Sequence, residues 1–257
     1  MENNQIENIV IEEFSSNDIQ ETYREMTKHG LWKSEEILFK KYFKKNSTIL
    51  DIGCGSGRTT YGLKKLDYEV IGIDITPEMI KSAKALSDYF NLNIDFRVSD
   101  AKKLNFKDNS FDNAVFSFNG WDQIPGKDNR LKVLKEAYRI LKTGGHFIFT
   151  SHIRELNRKY AIFWIKQWVK HYILKPLGFK IIEKEFGDVF FMQFTNNNAV
   201  YTYNNLQYIH IPNLFEIINM IDIAGFNLKL NDFRNKIASE DSNLSSYNCM
   251  FFVCKKP

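Results

Sequence analysis

Between Thr48 and Ser151 the apolar positions switch repeatedly between two rhythms. Five short apolar runs, Thr48–Ile52, Glu69–Ile73, Ile94–Val98, Phe111–Phe116 and His146–Ser151, have strand length and predict buried strands. The stretches between them carry helical spacing. Arg58–Leu66 follows the first run, Met79, Ala83, Leu86 and Phe90 the second, and Leu131, Leu134, Tyr138 and Leu141 the fourth. Thr76-Pro77-Glu78 supplies a cap, a proline at the first helical position and an acid in the first turn. Gly144-Gly145 is expected to end the helix before the fifth strand. Strands alternating with helices imply parallel βαβ units, hence an α/β, doubly wound, Rossmann-like sheet with helices on both faces.

Outside this block the rhythm is less regular. Residues 1–20 are polar and are expected to be ordered only in part. Residues 18–45 read as helical, broken at Gly30. Residues 154–177 read as an aromatic-rich helix, and 186–210 as two strands around the turn Thr195-Asn196-Asn197-Asn198. Pro212 is expected to open a helix that runs to Ala224 and stops at Gly225, with Phe226–Leu230 and Tyr247–Cys254 as two final strands. This divides the chain into an N-terminal helical lid, 1–46, and a domain, 47–257, carrying a substrate-side insertion at 153–210. Trp164, Trp168 and Tyr172 lie at helical spacing, where core packing is the default reading and a substrate-facing aromatic wall the sharper one.

Composition narrows the function classes. The 257 residues fit one large domain or one domain with an insertion. A net charge of +4 is too weak to argue for a nucleic-acid partner, and Lys40-Lys41 and Lys44-Lys45 read as a solvated helix face. Cys54, Cys249 and Cys254 are odd in number and form no CxxC pair, so neither a disulfide framework nor a metal site is expected, and a reducing compartment fits. The start is polar and acidic, unlike a signal peptide, and no apolar run reaches the ~18 residues that span a bilayer. A cytoplasmic protein without a membrane partner is expected. Oligomeric state is not readable.

The candidate chemistry sits at three strand ends. The first run closes in Asp51-Ile52-Gly53-Cys54-Gly55-Ser56-Gly57. Glycines let the backbone turn tightly and approach a ligand closely, and the following helix offers free N–H groups. The second run ends in Asp74, whose carboxylate can accept from both hydroxyls of a ribose. The third ends in Ser99-Asp100, a group suited to an exocyclic adenine amine. Open α/β sheets bind ligands at this edge. Dinucleotide enzymes carry G-x-G-x-x-G and aim a helix at pyrophosphate. Here the spacing is G-x-G-x-G, and Asp51 before it would repel pyrophosphate while attracting an ammonium group.

Ile49 to Gly57 resembles motif I of the class I S-adenosylmethionine-dependent methyltransferases. Asp74, Ser99-Asp100-Ala101, Phe111 to Gly120 and Leu141 to Phe149 resemble that family's ribose, adenine, fourth-strand and fifth-strand motifs. Thr143 stands where the family most often has proline. The resemblance spans about 47–152 and, with Gly30-Leu31-Trp32, points to the small-molecule type. It implies a seven-stranded, mostly parallel sheet with a reversed last strand, and S-adenosylmethionine as cofactor. It places Gly53, Cys54, Gly55, Gly57, Asp74, Ile75, Asp100, Ala101 and Phe118 around that cofactor, with Asp51 toward the methionine ammonium, Tyr23 toward its carboxylate, and Trp32 and His29 in a lid. Cys54 is not read as a nucleophile.

Methyl transfer needs in-line alignment of donor and acceptor in a dry site, and an oxygen or nitrogen acceptor also calls for a base. Asn119 and Asp122 follow the fourth strand; Asn119 can orient the acceptor and Asp122 can take a proton or bind a cation, although Asn119-Gly120 also reads as a plain turn. His152, just past the fifth strand, and His210, before Pro212, are the candidate bases, against the alternative of histidines that only hold backbone or packing. The fourth strand lacks the Asn/Asp-Pro-Pro-Tyr/Phe arrangement linked to exocyclic base nitrogens. The expectation is methylation of a small-molecule oxygen or nitrogen. Alternatives are RNA or protein methylation, where RNA binding would fall steeply with salt, and a catalytically silent cofactor-binding module, which would release no S-adenosylhomocysteine.

Overall fold

The structure is a computed structural model describing residues 1–155, 157–197, 200–244 and 249–257. Helices α1 (Asn3–Ser15), α2 (Asn17–His29) and α3 (Lys33–Tyr42) precede β1 (Thr48–Ile52). Then follow α4 (Arg58–Lys64), β2 (Glu69–Asp74), α5 (Pro77–Tyr89), β3 (Asp95–Val98), β4 (Phe111–Phe116), α6 (Lys127–Ile140) and β5 (Leu141–Ser151). The rest is α7 (Ala161–Val169), the hairpin β6 (Asp188–Asn197) and β7 (Val200–His210), α8 (Leu214–Ile223), β8 (Asn227–Phe233), the short α9 (Arg234–Ile237) and β9 (Met250–Lys255).

Seven strands form one sheet in the order β3-β2-β1-β4-β5-β9-β8. The pairs from β3 to β5 are parallel, and β9 runs antiparallel to both β5 and β8, which is the expected reversed last strand. Successive residues serve opposite faces, as the pleat requires. Leu50, Ile52, Phe147 and Phe149 pack under α6 and α8 against Leu134, Ala137, Ile217 and Met220. Ile49, Val115, Ile148 and Phe251 pack on the other face against Phe39 of α3 and Leu63 of α4. Burial on both faces explains why the strands read as unbroken apolar runs. Each such side chain contributes ~1.5–3 kcal/mol.

Four sequence expectations are corrected. Residues 1–20 are helical throughout α1 and the start of α2. Ile6, Val10 and Phe14 recur every four residues and pack with Phe190 and Tyr208 of the hairpin, so a partner distant in sequence pays the ordering entropy that polar composition seemed unable to meet. Gly144-Gly145 does not cap α6, which ends at Ile140; it lies inside β5. Phe111 faces Leu141 while Asn113 faces His146, so residues 142–145 bulge opposite Asp112. Gly144 has φ +84°, and a Cβ on Gly145 would stand 2.4 Å from the Asp112 carbonyl oxygen. Pro212 does not open α8; Asn213 caps it, its side chain accepting from the Glu216 N–H at 2.8 Å. The aromatic helix is shorter than 154–177: α7 covers nine residues and relaxes into one π turn, Lys170–Leu174.

The hairpin forms, but with a later turn than expected: Thr195, Asn196 and Asn197 continue β6 and pair with Thr202, Tyr201 and Val200 of β7. Asn198 lies outside the described residues, as do Tyr247 and Asn248 at the start of the expected last strand. No helix among the described residues is long and apolar enough to cross a membrane.

Candidate active site

The carboxyl ends of β1, β2 and β3 converge on a cleft lined by Gly53, Gly55, Asp74, Ile75, Asp100 and Ala101. The β1 turn is held open by glycine: Gly53, Gly55 and Gly57 have φ of +62°, +54° and +95°. A Cβ on Gly53 would meet the Phe116 ring at 2.3 Å. Asp74 clamps the turn, its two oxygens accepting from the Gly55 N–H at 3.0 Å and the Thr76 N–H at 2.8 Å. Burial raises the Asp74 carboxyl, and those backbone donors pull it partly back. Asp100 accepts from the Lys102 N–H at 2.8 Å and pairs with its ammonium at 3.1 Å.

α1, α2 and β4 close the cleft. Glu7, Val10, Phe14 and Tyr23 line it from the amino-terminal helices, and Ser117, Phe118 and Gly120 from the segment after β4. Tyr23 stands edge-on to Phe14 and Phe118, with its ring 3.3 Å from where a Gly55 Cβ would be. Burial, with Glu13 nearby, keeps its phenol protonated well above its usual range, so it is a neutral donor. Glu7 bonds Lys102, tying α1 to the end of the third strand. Glu7, Val10, Phe14 and Lys102 were missed by sequence reasoning. The four-residue spacing of Ile6, Val10 and Phe14 was the signal for a helix there.

Asp51, Trp32, Cys54 and Gly57 lie one layer behind the cleft wall. Asp51 is 1% exposed and accepts from Thr60 Oγ1 at 2.6 Å; burial pushes its carboxyl up to about 7. Cys54 is buried in the turn and burial holds its thiol well above the usual value, consistent with an inert residue. Trp32 stacks against Arg58 at 4.2 Å and meets Phe118 at 5.1 Å. Arg58, the first residue of α4, is held by both oxygens of buried Glu35 at 2.7 and 2.6 Å. That fork carries Trp32, which in turn buttresses Phe118.

The buttress matters because Phe118 and Asn119 are consecutive non-glycine residues with φ of +56° and +60°. Such a conformation costs ~1–2 kcal/mol per residue and persists only where surroundings enforce it. The Asn119 N–H donates to Thr150 Oγ1 at 2.8 Å, fixing the turn to β5. The Asn119 side chain then meets His152 Nε2 at 3.3 Å. Asp122, wholly buried, accepts from the His152 backbone N–H at 2.7 Å, from its Nδ1 at 2.9 Å and from Ser151 Oγ. Carboxylate on Nδ1 assigns the proton there and leaves Nε2 as the basic nitrogen, with the Asn119 amide donating to it. Asn119, Asp122 and His152 are thus brought together directly behind Gly120, although none of the three lines the cleft wall itself.

His210 is corrected. The structure places it in the hairpin, 1% exposed, with Nδ1 on Asp188 at 2.8 Å and Nε2 on Glu216 at 3.2 Å. Burial opposes its charge, but these two acids outweigh that and raise its pKa. Arg130 joins through Glu185 at 2.5 Å and Glu216 at 3.5 Å. The group is an ion network welding the hairpin to α6 and α8, with no nitrogen turned to the cleft. His29 is exposed at the end of α2.

Residues 50–149 match the family described as methyltransferase domain. Ubiquinone/menaquinone biosynthesis C-methyltransferase UbiE of Rickettsia bellii is 33% identical over 206 residues, 77% of this chain and 75% of that protein. The demethylmenaquinone methyltransferase of Staphylococcus haemolyticus is 28% identical over 215 residues, 82% of this chain and 81% of that protein. A SAM-dependent methyltransferase structure from Methanosarcina mazei superposes with a TM-score of 0.66 at 22% identity, covering 88% of this chain and 98% of that one. With a strand order and glycine turn of this kind behind those matches, the chain belongs to the class I methyltransferases, enzymes that use S-adenosylmethionine.

Proposed function

We propose that the protein methylates a carbon atom of a small, electron-rich, hydroxylated acceptor, with His152 as the base. This replaces the oxygen or nitrogen acceptor expected from the sequence; the relatives named as C-methyltransferases support carbon. The observation that carries the reading is the Asp122–His152–Asn119 constellation on the strained turn after β4. The acceptor carbon attacks the methyl group in line, a C–C bond forms, the C–S bond breaks, and its electron pair stays on sulfur as S-adenosylhomocysteine forms. The acceptor becomes nucleophilic by giving its hydroxyl proton to His152 Nε2, the hydroxyl taking the place of the Asn119 amide at that nitrogen; Asp122, already bonded to Nδ1, stabilises the imidazolium. A base so placed supplies ~10²–10⁴-fold and positioning much of the rest.

For the cofactor, Asp74 is assigned to the ribose, Asp100 to the adenine amine, Gly53 and Gly55 to close backbone approach, and Asp51 and Tyr23 to the methionine end. Residues 1–46 act as its lid, and 153–210 as the acceptor-side insertion.

The test is turnover with ¹³C-methyl-labelled S-adenosylmethionine and a panel of phenols and hydroquinones, read by carbon NMR. A new carbon-bound methyl signal is expected. A methyl signal on oxygen or nitrogen overturns the carbon assignment. Asp74→Ala should abolish cofactor binding by calorimetry; unchanged affinity overturns the cofactor assignment.

A further inference from the structure

Nine residues after β5, the chain puts an apolar face into solvent. Trp164 is the one buried residue of α7; it packs on Phe186 and the Arg154 guanidinium, which bonds the carbonyls of Phe186 and Ile211. This anchor holds α7 against Arg154 and the residue Phe186 just before β6. Around it, Ile162 is 69%, Ile165 61% and Leu177 70% exposed, and Trp168, Ile173 and Phe179 are also open. Ile162, Ile165 and Trp168 recur every three residues, so they form one stripe. Large aliphatic and indole side chains in contiguous exposure mark an interaction surface.

The charge pattern says what it meets. Between residues 156 and 182 the sequence carries Arg158, Lys159, Lys166, Lys170, Lys175 and Lys180 and no aspartate or glutamate. Those six positive charges exceed the +4 of the whole chain. Lys170 braces the segment on Glu183 at 3.0 Å, and Lys175 on the carbonyl of Lys184 at 2.8 Å. Lys166 and Lys180 are exposed among the apolar side chains. A second copy of this face would bring like charges together. A bilayer of anionic lipids satisfies both parts, with acyl chains for the isoleucines and Trp168, and headgroups for the lysines. At nine residues α7 is about 14 Å long, far too short to span and suited to lie in the interface.

We infer that α7 and the segment to Ile182 form a docking surface for an anionic phospholipid membrane. This departs from the sequence expectation of no membrane partner, and it stands whatever the methyl acceptor proves to be. The full chain is mixed with vesicles of phosphatidylcholine alone, or of phosphatidylcholine with phosphatidylglycerol, and sedimented. It pellets with the anionic vesicles and stays in solution with the neutral ones. Added salt reverses the binding, and tryptophan emission shifts to the blue. Ile165→Glu with Trp168→Glu lowers vesicle affinity at least about tenfold, with melting temperature and cofactor affinity unchanged, because both side chains are exposed. If that variant is unstable, Lys166→Ala and Lys180→Ala give an independent reading, at about fivefold loss each. The inference is overturned if the intact chain stays in solution with anionic vesicles, binds neutral vesicles equally, or binds undiminished after these substitutions. A dimer by velocity sedimentation that Ile165→Glu dissolves, with no vesicle binding, overturns it in favour of a second copy.

Discussion

Among the described residues two aspartate–histidine pairs stand out, and they differ in what they do with the second ring nitrogen. His210 has a carboxylate on each nitrogen and is sealed in the hairpin. His152 has a carboxylate on Nδ1 and a neutral amide at Nε2, beside a strained turn. The first arrangement traps charge and spends it on holding elements together. The second orients an imidazole and keeps its basic nitrogen toward a neutral donor. Residue type and an acidic neighbour are common to both, so the partner of the second nitrogen separates the roles.

The largest effect is expected at His152. His152→Gln should lower kcat by ~10²–10⁴-fold with little change in cofactor affinity. Asp122→Asn should lower kcat by at least about 100-fold, since it removes the group that fixes the tautomer. Steady-state kinetics with calorimetry on the same preparations checks both, and a variant that keeps kcat while losing only stability would make His152 a second structural histidine.

His210 should behave the opposite way. His210→Ala leaves Asp188 buried beside an uncompensated network and is expected to cost about 3–5 kcal/mol in stability. At about 2–4 °C per kcal/mol for a chain of this size, calorimetry should register it readily. The kcat of the folded fraction should not move. The pH dependence has a definite sign: with its pKa raised in the native state, His210 binds more protons folded than unfolded. Its contribution is complete below about 6.5 and is lost as pH rises through the native value. His210→Gln should flatten that part of the stability profile.

The contrast also marks what was legible in the chain. The strands, their order of polar ends and the glycine turn could be read because each is local: a run, a turn, an acid two residues away. Asp122 and His152 were readable as candidates, since both follow strand ends, but their pairing is set by where β4 and β5 lie in the sheet. His210 carried the same signal as His152 and misled, because its partners come from Asp188 and Glu216, far along the chain. The amino-terminal wall failed for a related reason. α1 is polar by composition, and its order depends on Tyr208 and Phe190 some two hundred residues away. Gly144-Gly145 was read as a helix end because the close approach it permits is to Asp112, on another strand.

A smaller effect tests the assignment of Asp51 to the methionine end of the cofactor. Burial holds Asp51 protonated up to about 7 in the ligand-free protein. Between its ordinary value near 4 and that point the folded state binds the extra proton, so Asp51 opposes folding increasingly as pH rises. If the methionine ammonium binds beside it as proposed, that cation favours the carboxylate. Cofactor affinity should therefore rise with pH, by up to about tenfold per unit below 7, and level off above. Calorimetry in two buffers of different ionisation heat should detect the released proton. Asp51→Asn should bind more weakly with a flat profile; a flat profile in the unaltered chain would detach Asp51 from the ammonium.

The finest comparison is within Asn119, whose backbone and side chain have separable duties. Asn119→Ala removes the amide and puts an ordinary side chain at φ +60°, at a cost of ~1 kcal/mol in stability. Asn119→Gly removes the same amide and relaxes the turn, so it should be neutral or slightly stabilising. If the amide orients His152, both variants lose kcat equally, by about tenfold, although their melting temperatures diverge. Full activity in Asn119→Gly beside a defect in Asn119→Ala would mean that the turn alone matters. The left-handed pair Phe118-Asn119 would then serve only to set Gly120 at the cleft wall, and the distinction between the two histidines would rest on Asp122 and the sheet edge without help from the amide.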